Sequence, residues 1–202
     1  MKTDKEALRS YFKALPVYTP AFDETIDAIV NDIGGAREVK KGQIVKELSP
    51  ENKDFWFLKE GFLKEMYRNT YVKEDSLFNL IPPDSIFVNE DTLLLNKRPQ
   101  HYFVAYTDAR ILQFKLESYE RISKQYPLVQ LLYIAGTAEI QKNRRARLTM
   151  LRMSKTLDRV KWVREFRPEL YRYMDRITLA QYIGVSRASL YRAFEKTDKY
   201  QF

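Results

Sequence analysis

From Ala36 the apolar period changes to two and short β-rich runs follow as far as Leu116, whereas before and after that stretch apolar side chains recur every three or four. A period of two puts alternate side chains on one face of a strand, and a period near 3.6 puts them on one face of a helix. The chain must therefore fold as a strand-rich middle between helical ends. Within the middle, Arg37 to Val45 contains a turn at Lys41-Gly42, and Phe55 to Tyr67 reads as a hairpin turning at Lys59-Glu60-Gly61. Further strands are expected over Ser76 to Ile81, Tyr102 to Tyr106 and Ala109 to Leu116, separated by Pro82-Pro83-Asp84, Lys97-Arg98-Pro99 and Thr107-Asp108. Short strands at this spacing form a small antiparallel barrel or roll.

The flanks carry helical signals. Asp4 to about Val17 has Leu8, Tyr11, Phe12 and Leu15 on one side and stops at Pro16 and Pro20; Asp23 to Ile33 repeats the pattern with Ile26, Ile29, Val30 and Ile33 before Gly34-Gly35. Both read as cover helices. After a short helix over Glu117 to Gln125, a longer one begins behind Tyr126-Pro127. Its apolar positions Leu128, Leu131, Ala135 and Ala138 alternate by three and four, which is a heptad seam, and Ala135, Gly136 and Ala138 admit a close partner helix. The same residues suit a helix buried in its own domain, so the pattern leaves both readings open. The seam turns polar at Lys142 and Arg145, and the apolar spacing resets between Asn143 and Ser154, a hinge candidate. The next helix carries Leu157, Val160, Val163 and Phe166 on one face and ends at Arg167-Pro168.

The stretch Arg176-Ile-Thr-Leu-Ala-Gln-Tyr-Ile-Gly-Val-Ser-Arg-Ala-Ser-Leu-Tyr-Arg-Ala-Phe-Glu195 reads as a helix-turn-helix. A first helix from about Thr178 to Ile183 breaks at Gly184, and a second restarts behind Ser186, whose hydroxyl caps free N–H groups. Leu179, Ile183, Val185, Leu190 and Ala193 face one another, and small Ala180 permits close approach. Arg187, Ala188, Ser189, Tyr191, Arg192 and Lys196 then face outward, a basic surface suited to a DNA major groove. The alternative is an ordinary helical hairpin with solvated cations.

Charge location supports the first reading. Residues 141–202 hold 16 Lys and Arg against 6 Asp and Glu, while the formal net charge of the whole chain is only +8. A nearly neutral front joined to a strongly basic back suits a sensing or scaffold domain joined to a polyanion-binding one. At 202 residues and 45% hydrophobic content the chain can bury a core in one large or two small domains. It has no cysteine, which removes disulfides, thiolate metal sites, cysteine-ligated iron–sulfur clusters and cysteine nucleophiles; its one histidine, His101, removes multi-histidine metal sites. Lys2, Asp4, Lys5 and Glu6 leave no signal-peptide or membrane-spanning run at the start, so a cytoplasmic location without membrane is expected. Asp84, Glu90 and Asp91 are scattered rather than arranged for catalysis, and no enzyme is expected.

The order of parts resembles the Crp/Fnr family of transcription regulators over nearly the whole chain. The resemblance is strongest in Leu157-Asp-Arg-Val-Lys-Trp-Val-Arg-Glu-Phe-Arg-Pro-Glu-Leu and in Ile177-Thr-Leu-Ala-Gln-Tyr-Ile-Gly-Val-Ser-Arg-Ala-Ser-Leu-Tyr-Arg, and looks like the branch common in Bacteroidetes-type bacteria. It implies an α+β fold: an antiparallel β-roll of cyclic nucleotide-binding-like (jelly-roll) type with cover helices over 1–126, a dimerisation helix over 127–148, and a winged-helix-like helix-turn-helix domain lacking a full wing over 149–202. It also implies a cytoplasmic homodimer that binds double-stranded DNA and meets RNA polymerase. Carried over by position, base reading falls on Arg187, Ala188 and Arg192, where Ala188 replaces an acidic residue of the best-known members. Arg176, Thr178, Ser186, Ser189, Tyr191 and Lys196 become the remaining DNA contacts, chiefly to phosphate. Val88-Asn89 stand where the family's nucleotide-binding members place Gly-Glu, and Pro99-Gln100 where they place Arg-Ser, with Arg98 one position away. The expected effector pocket of Val88, Asn89, Arg98, Pro99 and Gln100 thus lacks the cyclic AMP clamp, leaving an unknown small-molecule effector and no cofactor. Haem on His101 is the remaining metal chemistry, and the polar Gln100-His101-Tyr102 setting argues instead for an exposed loop histidine. Two rival readings persist: an effector-free DNA-binding dimer with the roll as scaffold, and an AraC-type regulator, which Ser189-Leu-Tyr-Arg-Ala-Phe194 resembles although only one helix-turn-helix is found.

Overall fold

The structure is a computed structural model that describes residues 3–46, 53–69, 71, 74–89, 92, 97 and 99–198, with backbone alone at 46 and 196–198. It divides into two compact units, Met1–Ile140 and Gln141–Phe202.

In the first unit, α1 (Asp4–Lys13) starts in a capping box: Thr3 Oγ1 accepts from the Glu6 amide at 3.2 Å, and the Thr3 amide donates to Glu6 Oε2 at 2.7 Å. The helix ends short of the expected Val17, because Pro16 offers no N–H and disfavours helical backbone at Leu15. A 3₁₀ turn at Pro20–Phe22 leads into α2 (Asp23–Asp32). Eight strands follow among the described residues: β1 (Arg37–Val39), β2 (Ile44–Lys46), β3 (Phe55–Glu60), β4 (Leu63–Asn69), β5 (Glu74–Ile81), β6 (Ser85–Phe87), β7 (His101–Ala105) and β8 (Ala109–Phe114). They form two four-stranded antiparallel sheets, ordered β1-β8-β3-β6 and β2-β7-β4-β5. After them come α3 (Leu116–Gln125) and the long α4 (Val129–Leu151).

The expected hairpin over Phe55 to Tyr67 is a corner instead. β3 pairs with β6 and β8, β4 pairs with β5 and β7, and the turn at Gly61 carries the chain from one sheet to the other. Lys41-Gly42 and Thr107-Asp108 do the same for β1–β2 and β7–β8. A hairpin and a corner share a period of two and the same turn residues, so only pairing distinguishes them. The three corners are tied together. The Phe62 amide donates to Thr107 Oγ1 at 3.0 Å, and Asp108 accepts from the Lys41 amide and from Lys40 Nζ, both at 2.9 Å. Gly61 has φ 85°, and a Cβ there would sit 2.3 Å from the Asp108 carbonyl oxygen.

β3 is apolar on both faces for a reason. Trp56 and Leu58 join the core between the sheets with Val39, Leu63, Phe87, Phe103 and Ile111, while Phe57 turns the other way, into a second core with Leu8, Ile26, Val30, Leu112, Ile122, Val129 and Leu132. The second core corrects the proposed seam. Ala135 is buried in it and Leu128 packs against it, whereas Leu131 and Ala138 are exposed. Gly136 serves the same chain rather than a partner helix, since a Cβ there would lie 2.4 Å from Ile86 Cδ1. The exposed apolar row on α4 is Leu131, Ile134 and Ala138.

In the second unit α4 stays helical to Leu151, through most of the expected hinge, and is followed by α5 (Thr156–Phe166), α6 (Pro168–Tyr173), α7 (Arg176–Ile183) and α8 (Arg187–Asp198). Phe166, expected inside, is 58% exposed, and Arg167 is buried in its place. The guanidinium is tolerated there because Nε lies 2.6 Å from Glu169 Oε1 and Nη1 donates to the Tyr182 hydroxyl. The expected lack of a wing concerns positions after 198, outside the described residues. The fold class is α+β, a double-sheet roll with cover helices and a C-terminal helical domain, as the sequence led us to expect.

Candidate nucleic-acid interface

Helix α7 is set by its ends. The Asp175 carboxylate accepts from the Thr178 amide at 2.7 Å and from the Thr178 hydroxyl at 3.3 Å, capping the N-terminus. At the other end Gly184 takes φ 68°, its amide donates to the Gln181 carbonyl at 3.2 Å, and the Val185 amide donates to the Ala180 carbonyl at 3.0 Å. Those two bonds are a Schellman motif, which needs the left-handed residue glycine supplies. Ser186 then caps α8 as expected, its Oγ accepting from the Ser189 amide at 3.1 Å.

The inward set is larger than the sequence reading had it. Leu179, Ala180, Ile183, Leu190 and Ala193 are buried, Val185 is half-buried, and Tyr182 and Phe194 join them below. Both extra aromatics lie three or four residues from Leu179 or Leu190, a spacing that would have revealed them. Burial raises the pKa of the Tyr182 phenol, so its hydroxyl stays protonated beside Arg167.

Arg187, Ala188, Tyr191 and Arg192 are exposed on α8. They form two adjacent rows one helical turn deep, Arg187 with Tyr191 and Ala188 with Arg192. Arg192 folds back so that Nε and Nη2 each lie 3.4 Å from an acceptor, the Ala188 carbonyl and Ser189 Oγ. Ser186 and Ser189 share a hydroxyl contact at 3.0 Å, so both are engaged in the cap. Arg176 is exposed with its guanidinium 3.8 Å from the centre of the Phe194 ring. Thr178 requires a correction. It is 1% exposed, and its hydroxyl is paired with Asp175, so its side chain does not reach a phosphate. The side chain of Lys196 lies outside the described residues.

Sequence reasoning missed Lys155 and Thr156. Lys155 precedes and Thr156 starts α5, and both line one cleft with Leu157, Ser189, Arg192 and Ala193, which places another cation and another hydroxyl beside Arg192. More than thirty residues of sequence separate them from Arg192, and only the packing of α5 on α8 joins them. This basic surface has the donors a phosphodiester backbone requires.

Four residues of the expected effector pocket, Val88, Asn89, Pro99 and Gln100, lie among the described residues. Val88 and Pro99 are buried, the Asn89 amide nitrogen donates to the His101 carbonyl at 2.8 Å, and only Gln100 is exposed. Arg98 lies outside the described residues, as do Glu90 and Asp91. His101 is not in a loop: it opens β7 with its ring edge-on to Phe78 and Nδ1 3.2 Å from Oε1 of buried Glu65. Among the described residues no cluster of three or more metal-ligating side chains occurs, and no helix is long and apolar enough to cross a membrane.

Scans of the sequence against protein-family models and against curated proteins return no match. Solved structures do match. The c-di-GMP-responsive global regulator CLP of Xanthomonas campestris superposes with a TM-score of 0.65 at 12% identity, over 87% of this chain and 91% of its own. FixK2 of Bradyrhizobium japonicum gives 0.64 at 15% identity, over 82% and 84%. A CooA variant from Carboxydothermus hydrogenoformans gives 0.62 at 12% identity, over 92% and 86%. At such identities the likeness concerns architecture, and the chain has the fold of the Crp/Fnr regulators, a cyclic nucleotide-binding-like roll followed by a helical C-terminal domain.

Proposed function

We propose that the protein is a sequence-specific DNA-binding transcription regulator of the Crp/Fnr type, of the Bacteroidetes-like branch suggested by residues 157–170 and 177–192, and not an enzyme. The observation that carries this reading is the exposure of Arg187, Ala188, Tyr191 and Arg192 together on one capped helix in a unit with a large excess of cations. Arg187 and Arg192 donate to guanine O6 and N7, and Ala188 offers a methyl contact to thymine. Lys155, Arg176, Tyr191 and Lys196 contact phosphates and set register without reading sequence. The segment 127–148 makes the homodimer, through Leu131, Ile134 and Ala138, which places two copies of α8 on two half-sites of double-stranded DNA. RNA polymerase is the protein partner. The roll, 1–126, responds to a small molecule other than cyclic AMP and without a metal or haem cofactor. An effector acts through its different affinity for two arrangements of the dimer.

The commitment of Asn89 to the His101 carbonyl also favours a second reading, in which the roll is an effector-free scaffold. One experiment tests the shared core of both: selection of sites from random duplex DNA with the protein and with an Arg187→Ala, Arg192→Ala double variant. The expected result is a two-fold symmetric site with half-sites about one helical turn apart, lost in the variant. Binding that yields no motif and that the variant retains would sink the reading.

A further inference from the structure

We infer that Arg159 is the positioning residue of the recognition helix, a fork that fastens the turn of the helix-turn-helix to the last turn of α4. Its consequence for DNA rests on the function proposed above; the fastening rests on geometry.

From α5 the Arg159 guanidinium donates to four main-chain carbonyls. Nη1 reaches those of Ile183 at 2.9 Å and Gly184 at 3.1 Å, Nη2 that of Leu151 at 2.9 Å, and Nε that of Met153 at 2.9 Å. The carbonyls of Ile183 and Leu151 end their helices and have no intrahelical donor. A second arginine continues the pattern from α4: Arg147 Nε donates to the Tyr182 carbonyl at 3.0 Å, and its guanidinium lies 5.0 Å from the centre of the Tyr182 ring. Three consecutive carbonyls, those of Tyr182, Ile183 and Gly184, are thus each taken by an arginine from α4 or α5. They stand just before Ser186, which starts α8. The contact is also steric, because a Cβ on Gly184 would lie 2.9 Å from Leu151 Cδ2 and 3.5 Å from Arg159 Nη1.

Arginine suits this task and lysine does not. A guanidinium spreads five N–H groups over a rigid plane and can bridge two separate chain ends, whereas an ammonium is a compact charge with three donors. The turn at Gly184 is therefore bound to the end of α4 by side chains as well as by the intervening backbone. A displacement of the last turn of α4 moves the carbonyls of Ile183 and Gly184, and with them the first turn of α8 that carries Arg187 and Ala188. Dimer rearrangement along α4 reaches the base-reading residues by this route.

The absence of cysteine permits a direct test. Nitroxide labels at Thr149→Cys on α4 and Glu195→Cys on α8, in a labelled chain diluted into unlabelled protein, report the distance between the two helices. The unaltered background should give one narrow distribution, and Arg159→Lys and Arg159→Gln should each broaden it at least two-fold. The same substitutions should lower the ratio of specific to non-specific DNA affinity at least ten-fold, with non-specific binding at low salt unchanged. Circular dichroism monitors folding, and Arg159→Lys, which retains the charge, carries the test if Arg159→Gln does not fold. An unchanged distance distribution in Arg159→Lys overturns the fastening. Broadening in the variants, with no DNA motif selected by the unaltered protein, upholds the fastening and sinks the DNA reading instead.

Discussion

Arg110 holds Asp4 by two parallel bonds, Nε to Oδ1 at 2.8 Å and Nη2 to Oδ2 at 2.6 Å, and so joins the first helix to the last strand of the roll. Lys59 Nζ, on a side chain only 8% exposed, lies 3.0 Å from the same carboxylate. Bonding to Arg110, the largest cause, together with Lys59, lowers the Asp4 pKa from 3.8 to about 2.

A pH dependence follows from the sign of that shift. The folded pKa lies below the unfolded one, so the unfolded chain binds the proton more readily, and the stabilisation is present above pH 4 and lost as pH falls through about 2. Asp4→Asn should lower the melting temperature of the roll by roughly 5 °C at pH 7. Melting curves of both proteins should converge as pH approaches 2. An equal gap at pH 2 would mean that packing, not charge, holds this corner.

Gly61 and Gly184, two of the three positive-φ glycines among the described residues, should respond differently to alanine. At Gly61 the new Cβ meets main chain at 2.3 Å, so Gly61→Ala should prevent the roll from closing, seen as loss of near-ultraviolet dichroism. At Gly184 it meets the movable end of Leu151, and the cost should be limited to strain of about 1–3 kcal/mol, measured by denaturant unfolding.

The two sides of α4 should separate assembly from stability. Ile134→Glu, on a side chain 58% exposed, should convert the proposed dimer to monomer in sedimentation with little change in melting of the roll. Leu132→Ala, two residues away at 2% exposure, should instead cost about 2–5 kcal/mol of stability. A dimer that survives Ile134→Glu would place the interface elsewhere.

On DNA, reading and holding should come apart. Arg187→Ala should cost about 1–3 kcal/mol on the selected site and relax the preference at one base pair. Lys155→Ala should weaken all duplexes alike and reduce the slope of log affinity against log salt by roughly one. A base-specific effect at Lys155 would overturn its assignment to phosphate.

What was legible in the sequence was local. Ser186, Gly184 and the spacing of Leu179, Ile183 and Leu190 state a helix-turn-helix by themselves, because capping, a left-handed turn and helical periodicity are decided within a few residues. The aromatic-rich run Phe55 to Leu58 likewise announces a strand, yet nothing in it says whether the turn at Gly61 keeps both strands in one sheet or sends them to two. That depended on Asp108 and Thr107, nearly fifty residues away, lying against Gly61 and Phe62. On α4, three-four spacing identified a helix with an apolar seam without telling whether a partner helix or the same chain would cover it. The core on Phe57 and Leu112 took Ala135 and Leu132, and left Leu131 and Ile134 outside. Lys155 beside Arg192, and Arg159 across four carbonyls, had no signature along the chain, since a long cation reads as solvated until packing brings it acceptors. Periodicity and turn chemistry are short-range and were set by the sequence itself; sheet assignment, burial of one helix face and the arginine contacts are long-range, and only the tertiary structure decided them.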